Sequence, residues 1–219
     1  FMWVMAALTM TIGNLVALKQ KNIVRMLAYS SISQGGFILM PLAMAGTNNA
    51  AGASLRAVVV YLLIYAATNL GAFAVIIAVS RKTRSGDIAS FGGLFSYAPG
   101  LTTLMTLFLA SLAGIPPLGG WYAKFGAFRA VLDAGTGWGY TIAVIGAVNA
   151  VIATAYYITV MREMWMKPVP DGDTTPIKVP GSLQAALALC VSLTLLFGVL
   201  PGVIAKFGNL RDLAGAFGR

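Results

Sequence analysis

The sequence predicts an all-α membrane protein with six transmembrane helices, one of them discontinuous. Three observations carry that expectation. Of 219 residues, 58% are hydrophobic and only 10% are charged, and mean hydropathy is +0.83; a soluble domain carries about 25% charged residues. The charges are clustered, leaving charge-free windows at 1–18, 26–55, 57–80, 88–123, 134–161 and 179–205. A helix needs about 20 apolar residues to cross the hydrocarbon core, and a backbone in lipid must satisfy its own hydrogen bonds, so these windows read as helices. The third observation is a pair of prolines and a pair of glycines, Pro116-Pro117 and Gly119-Gly120, at the end of the fourth window.

The chain reads as a single transmembrane domain, 1–219, with spans at 2–18, 26–45, 55–80, 101–132 (broken at 116–120), 138–163 and 182–204. The first connection is Lys19-Gln20-Lys21-Asn22, and the second is the weakly charged Gly46-Thr47-Asn48-Asn49. The third runs from Arg81 to Gly100, and the fourth is the glycine-rich turn Ala134–Gly139. The fifth, Met166 to Gly181, carries Pro168, Pro170, Pro176 and Pro180 and is therefore not helical. Connections one, three and five, with their flanks, hold nine bases: Lys19, Lys21, Arg25, Arg81, Lys82, Arg84, Arg162, Lys167 and Lys178. The other side holds Arg56, Lys206, Arg211 and Arg219, with Arg129. The positive-inside bias puts the odd connections in the cytoplasm and both termini outside.

Composition also excludes chemistry. There is no histidine and one cysteine, Cys190, which removes Cys/His zinc sites, Cys₄ clusters, His-ligated haem and His-based nucleophilic triads. The six acids, Asp87, Asp133, Glu163, Asp171, Asp173 and Asp212, offer no carboxylate pair within an apolar stretch. A net charge of +9 would suggest nucleic acid in a soluble chain, but here it reads as membrane orientation, with no nucleic-acid partner. No charged segment with a cleavage site opens the chain. Phe1 enters directly on an apolar run, so the sequence reads as a piece of something longer.

The fourth window is the most informative. Two prolines without N–H donors and two glycines interrupt the helix, leaving two halves each too short to span. Such a break survives only where protein or a wet cavity satisfies the freed backbone. Lys124 lies one turn beyond it, farther from any connection than the other bases. An amine inside a membrane costs about 2.5–3.5 kcal/mol on insertion scales. Such a lysine is either a proton carrier in a hydrated half-channel or a snorkelling cation. Its depth and the adjacent break favour the carrier.

Tyr29, Ser30, Ser33 and Gln34 recur at roughly helical spacing in the second span, where they line a wet path or bond a neighbouring helix. Gly35-Gly36 then permits close packing. Tyr61, Tyr65, Thr68 and Asn69 share one helical face in the third span. Asn149, Thr154, Tyr156 and Tyr157 give a weaker signal, the tyrosines reading as interfacial anchors. Arg162-Glu163 reads as an edge pair, Cys190 as a small core residue and the methionines as gap-fillers.

The segments Asn22–Ser31 (NIVRMLAYSS) and Leu112–Phe125 (LAGIPPLGGWYAKF) resemble the antiporter-like membrane subunits of respiratory complex I. The Lys-Phe pair and Tyr156–Val160 make the chain most similar to the subunit N group of NADH–quinone oxidoreductases. The resemblance covers all six spans. It implies helices nine to fourteen of a fourteen-helix fold with two inverted five-helix repeats. It implies that Lys124 is the proton relay of the broken twelfth helix, and that Tyr29 and Ser30 lie near a central hydrophilic axis. Ser33, Tyr61, Tyr65 and Asn69 complete the candidate channel lining. The expected activity is proton translocation in a bacterial inner membrane, driven by remote quinone reduction, with no cofactor in this chain. The implied partners are lipid and other membrane subunits, which bind the quinone. Two departures stand out: Val24 occupies a position that is commonly lysine, and Thr159 one that is commonly arginine. The competing readings are a subunit of a multisubunit sodium/proton antiporter and a structural membrane scaffold.

Overall fold

The computed structural model describes residues 1–47 and 50–207, with side chains to residue 205. Asn48 and Asn49 of the second connection lie outside the described residues, as do Arg211 and Arg219 of the orientation count and the side chain of Lys206. The described chain is helical with no sheet. Its helices are α1 (Met2–Leu18), α2 (Ile23–Leu42), α3 (Ala51–Thr83), α4 (Leu94–Tyr97), α5 (Pro99–Ala113), α6 (Gly119–Leu132), α7 (Gly137–Met166), α8 (Gly181–Val199) and α9 (Pro201–Phe207). A 3₁₀ turn, Ile88–Phe91, precedes α4.

Helix starts follow local chemistry. Asn22 caps α2, its side-chain oxygen accepting from the amides of Val24 and Arg25, both at 3.1 Å. Thr136 caps α7 by accepting from Gly139 N–H at 3.1 Å, and Pro99 opens α5 where no donor is needed. Arg81 and Lys82 end α3 next to its unpaired carbonyls, which favours cations there. Among the described residues, three helices are long and apolar enough to cross a membrane: α3, α7 and α8. At 33 residues, α3 is about 50 Å long, well beyond a core of about 30 Å.

Small residues set the closest approaches. A Cβ on Gly13 of α1 would lie 2.7 Å from the Ser33 amide nitrogen of α2, and one on Gly36 would lie 2.5 Å from Met10 Cγ. Backbone contact of this kind is how helices associate without a hydrophobic driving force. The expected packing role of the Gly35-Gly36 pair belongs to Gly36 alone; around Gly35 the space is open. Gly71 of α3 likewise admits the Phe108 ring of α5.

The buried apolar residues form two clusters. One gathers Met26, Phe91, Phe108 and Tyr157, and the other Met10, Phe37, Ile64 and Ala127; the half-buried Tyr65 packs against both. Outward, Val144, Val148 and Val151 form an exposed stripe along α7.

The Arg81–Gly100 connection is more ordered than a loop. Its backbone pairs with the first connection: Ile23 N–H donates to Gly86 O at 2.7 Å and Ile88 N–H to Lys21 O at 2.8 Å. Lys82 ties it to the fifth connection, donating to the carbonyls of Asp173 at 3.0 Å and Thr175 at 2.6 Å. Its ammonium lies 4.1 Å from the Tyr97 ring centroid and 3.5 Å from the Asp173 carboxylate. Gly93, at φ +62, fits beneath Val169 where a side chain has no room. The odd-numbered connections therefore form one assembled end of the bundle.

Candidate functional site

The helix break organises the site. α5 stops at Ala113 because Gly114 turns left-handed at φ 96, its amide and that of Ile115 both bonding Ala110 O. α6 starts at Gly119, and Gly120 N–H donates to Ser111 Oγ at 3.0 Å. The two helices touch so closely that a Cβ on Gly120 would lie 1.8 Å from Ser111 O. Gly198 of α8 packs on the connecting segment in the same way, 2.0 Å from Pro117 O to a notional Cβ. Pro116 and Pro117, joined by a cis bond, lie with Ile115 on the outer surface of the described chain.

Lys124 projects from the first turns of α6 into the bundle, its exposure only 7%. Its ammonium donates to Ala113 O at 2.9 Å, one of the carbonyls the break sets free. It also lies 5.0 Å from the Phe37 ring centroid, within cation–π range. Among the described residues no carboxylate pairs with it. A small cavity beside it is bounded by Gln34, Tyr61, Tyr65, Thr68 and Ser111.

Gln34 is the hub of the surrounding hydrogen bonds. Its amide donates to Leu112 O at 3.2 Å and to Tyr157 Oη at 3.4 Å, and Tyr61 donates to its Oε1 at 2.6 Å. Tyr157 in turn bonds the Ser30 hydroxyl. Gln34 and Lys124 thus hold adjacent carbonyls at the end of α5. From Tyr157 the polar groups continue through the edge-on ring of Tyr156, 4.5 Å away. Tyr156 donates to Asn14 Oδ1 at 3.0 Å, and Asn14 donates to Asn149 Oδ1 at 3.0 Å.

The sequence-derived candidates divide accordingly. Ser30 and Tyr61 join the Gln34 network. Tyr65 bounds the cavity and donates to Ser31 Oγ at 2.6 Å. Ser33 is fully buried, but among the described residues its hydroxyl has no hydrogen-bond partner, and it backs onto Gly13. Tyr29 packs against the first apolar cluster. Asn69 is half-buried and bounds no cavity beside Lys124.

Two readings need correction. Tyr156 and Tyr157 are not interfacial anchors: they are 3% and 0% exposed and lie inside the bundle. They fall more than a turn short of the end of α7, which runs to Met166. Arg162 and Glu163 form no ion pair, since adjacent residues on a helix point about 100° apart. Sequence reasoning missed Gln34 as the hub and the Asn14–Asn149 pair. Their signal was there: uncharged amides inside charge-free windows, which need partners in lipid.

The family described as "NADH:quinone oxidoreductase/Mrp antiporter, TM" matches residues 1–152. The chain is 39% identical over 207 residues to a NADH-quinone oxidoreductase subunit N of Heliobacterium modesticaldum, covering 94% of this chain and 42% of that protein. It is 40% identical over 205 residues to a subunit N 2 of Sorangium cellulosum, covering 93% and 39%. Its fold matches a chain of Thermus thermophilus respiratory complex I with TM-score 0.72 at 28% identity, covering 94% of this chain and 44% of that one. It also matches a chain of the membrane-bound sulfane sulfur reductase, an archaeal respiratory membrane complex, with TM-score 0.80 at 28% identity, covering 98% and 41%. The chain spans about two fifths of the length of these relatives. It is a multi-pass membrane protein of the bacterial inner-membrane type, and it belongs to the NADH:quinone oxidoreductase/Mrp antiporter membrane family.

Proposed function

We propose that this chain is part of a proton-translocating subunit N of an NADH–quinone oxidoreductase, equivalent to helices nine to fourteen. It contributes six spans of one transmembrane domain, with α5 and α6 as the two halves of a discontinuous span and both termini periplasmic. Lys124 is the proton carrier, and Ser30, Tyr61, Tyr65 and Gln34 line its approach. The remaining candidates, Tyr29, Ser33 and Asn69, support the lining helices. Quinone reduction occurs elsewhere in the assembly, and this chain moves only protons.

One observation carries the reading: a buried lysine held by a carbonyl that a helix break leaves free. An ammonium with a backbone partner and a nearby cavity can give up its proton and turn without breaking an ion pair. The family match and the subunit N relatives support the assembly. The experiment replaces Lys124 with Ala or Met in the assembled complex and measures protons pumped per electron together with quinone reduction. The expected result is a loss of pumping through this subunit in an intact complex; wild-type pumping would sink the proposal.

The same family description includes Mrp antiporters, which keeps a sodium/proton antiporter subunit as the second reading. Sodium-dependent transport by the purified assembly, independent of quinone, decides for it.

A further inference from the structure

A second cleft, of about 650 Å³, lies between the first turns of α3 and the α6 stretch from Tyr122 to Asp133, with Ala205 of α9 also in its lining. That volume falls within the range of small-ligand sites, about 300–1,000 Å³. Its rim is basic. Arg56 lies five residues into α3 and Arg129 three residues before the end of α6, so both side chains start from end turns, where arginine reaches the headgroup layer. Arg129 is paired with Asp133 at 3.4 Å, both well exposed. Arg56 has no ion pair or hydrogen bond among the described residues. Among the described residues, two guanidiniums and one carboxylate leave the rim one positive charge in excess. The walls are different: Leu55, Tyr122 and Phe125 present apolar surface, and Gly126 and Ala57 leave room between them.

We propose that this cleft binds one acidic phospholipid of the periplasmic leaflet. Its phosphate sits between Arg56 and Arg129, and one acyl chain lies along Leu55, Tyr122 and Phe125. A guanidinium binds phosphate oxygens in a planar, bidentate fashion, and a headgroup of net charge −1 neutralises the rim. A zwitterionic headgroup brings an extra cation to a rim that already has one in excess. A free phosphate leaves the apolar walls uncovered, whereas a lipid covers both parts at once. Ala123 lines this cleft and also the cavity beside Lys124, so the acyl chain ends against the wall of the lysine cavity. The inference rests on the membrane setting of the chain and is independent of the proton reading.

The test uses the full-length chain in its assembled complex, in phosphatidylcholine nanodiscs containing a phosphatidylglycerol with a photoreactive group on its acyl chain. Labelled residues are mapped by mass spectrometry. Label is expected on the peptides around Leu55 and Phe125, with little from a phosphatidylcholine probe bearing the same chain. The double substitution Arg56→Gln with Arg129→Gln is expected to lower the label by about tenfold or more, in line with the loss of charge-assisted bonds. If that variant fails to assemble, Arg56→Gln alone serves, because Arg56 has no ion pair or hydrogen bond among the described residues, and a fall of about threefold is expected. Soluble glycerophosphate should not displace the probe, and displacement would mean that the site takes a free phosphate. Equal labelling by both probes, unchanged labelling in the variant, or none because another polypeptide covers the cleft would each overturn the proposal.

Discussion

Lys124 donates to the carbonyl oxygen of Ala113 at 2.9 Å, across the gap between α5 and α6. The side chain therefore closes the helix break it follows, and the charge and the break are one structure.

That relationship separates two substitutions usually treated alike. Arginine in place of Lys124 keeps a donor for Ala113 O but does not release its proton. Lys124→Arg is expected to assemble like the wild type and to lose proton transfer through this site, by about tenfold or more given the permanent charge. Assembly by native gel and pumping in proteoliposomes check this together.

Gln34→Leu should damage stability as well as transfer. It removes three hydrogen bonds and strands Tyr61 Oη and Leu112 O in a buried setting. An unsatisfied buried polar group costs about 1–3 kcal/mol. The expected outcome is a lower thermal midpoint of the solubilised complex and slower proton transfer, with Gln34→His recovering part of both.

Gly120→Ala tests the seam of the break. Its new Cβ would meet the Ser111 carbonyl at 1.8 Å, a backbone atom that cannot step aside. α6 must then shift against α5, at a cost of about 1–3 kcal/mol or more by overpacking. Gly35→Ala is the control, because its Cβ meets nothing within 4 Å. Quantified assembly of the two variants should differ sharply, and equal assembly would mean that the seam is loose.

The assembled end of the bundle carries a pH prediction. The Asp173 carboxyl is held below the ordinary carboxylate range, chiefly by the backbone N–H of Thr175 and then by its side chain, with Lys82 adding to it. A depressed value means that the folded form is favoured above the ordinary range and loses this contribution as pH falls through the lowered value. The group is solvated, so the effect is local. Protection of the Thr175 amide against hydrogen exchange, measured relative to its intrinsic rate at each pH, should fall on acidification below the ordinary carboxylate range, and Asp173→Asn should lower it at neutral pH.

The break and its lysine were legible because both violate rules that hold elsewhere in the chain. Prolines and glycines do not belong in a continuous span, and fourteen of the fifteen bases fall in connections, tails or helix ends. Gln34 was harder to read. A neutral amide in a span meets only the general demand for a partner, and its partners lie 27, 78 and 123 residues away. The tyrosines of α7 were misplaced because residue type alone does not separate an interfacial anchor from a buried donor, and their partners Ser30, Gln34 and Asn14 lie on other helices. The pairing of Lys21 and Ile23 with Gly86 and Ile88 had no local signal, since it depends on where α3 returns. Gly36 and Gly35 are identical in sequence terms, and only the position of α1 tells them apart.

The partner of Lys124 has a consequence for the cycle it is proposed to serve. A buried amine matched to a carboxylate, on losing its proton, leaves a solitary anion in a poorly solvating interior, and that penalty comes due at every turnover. A carbonyl dipole strands nothing. When Lys124 is discharged, Ala113 O remains an ordinary helix-end acceptor that one water can satisfy. The cost falls instead on the loaded state, an ammonium with no counter-ion among the described residues, so the site leans toward giving its proton up.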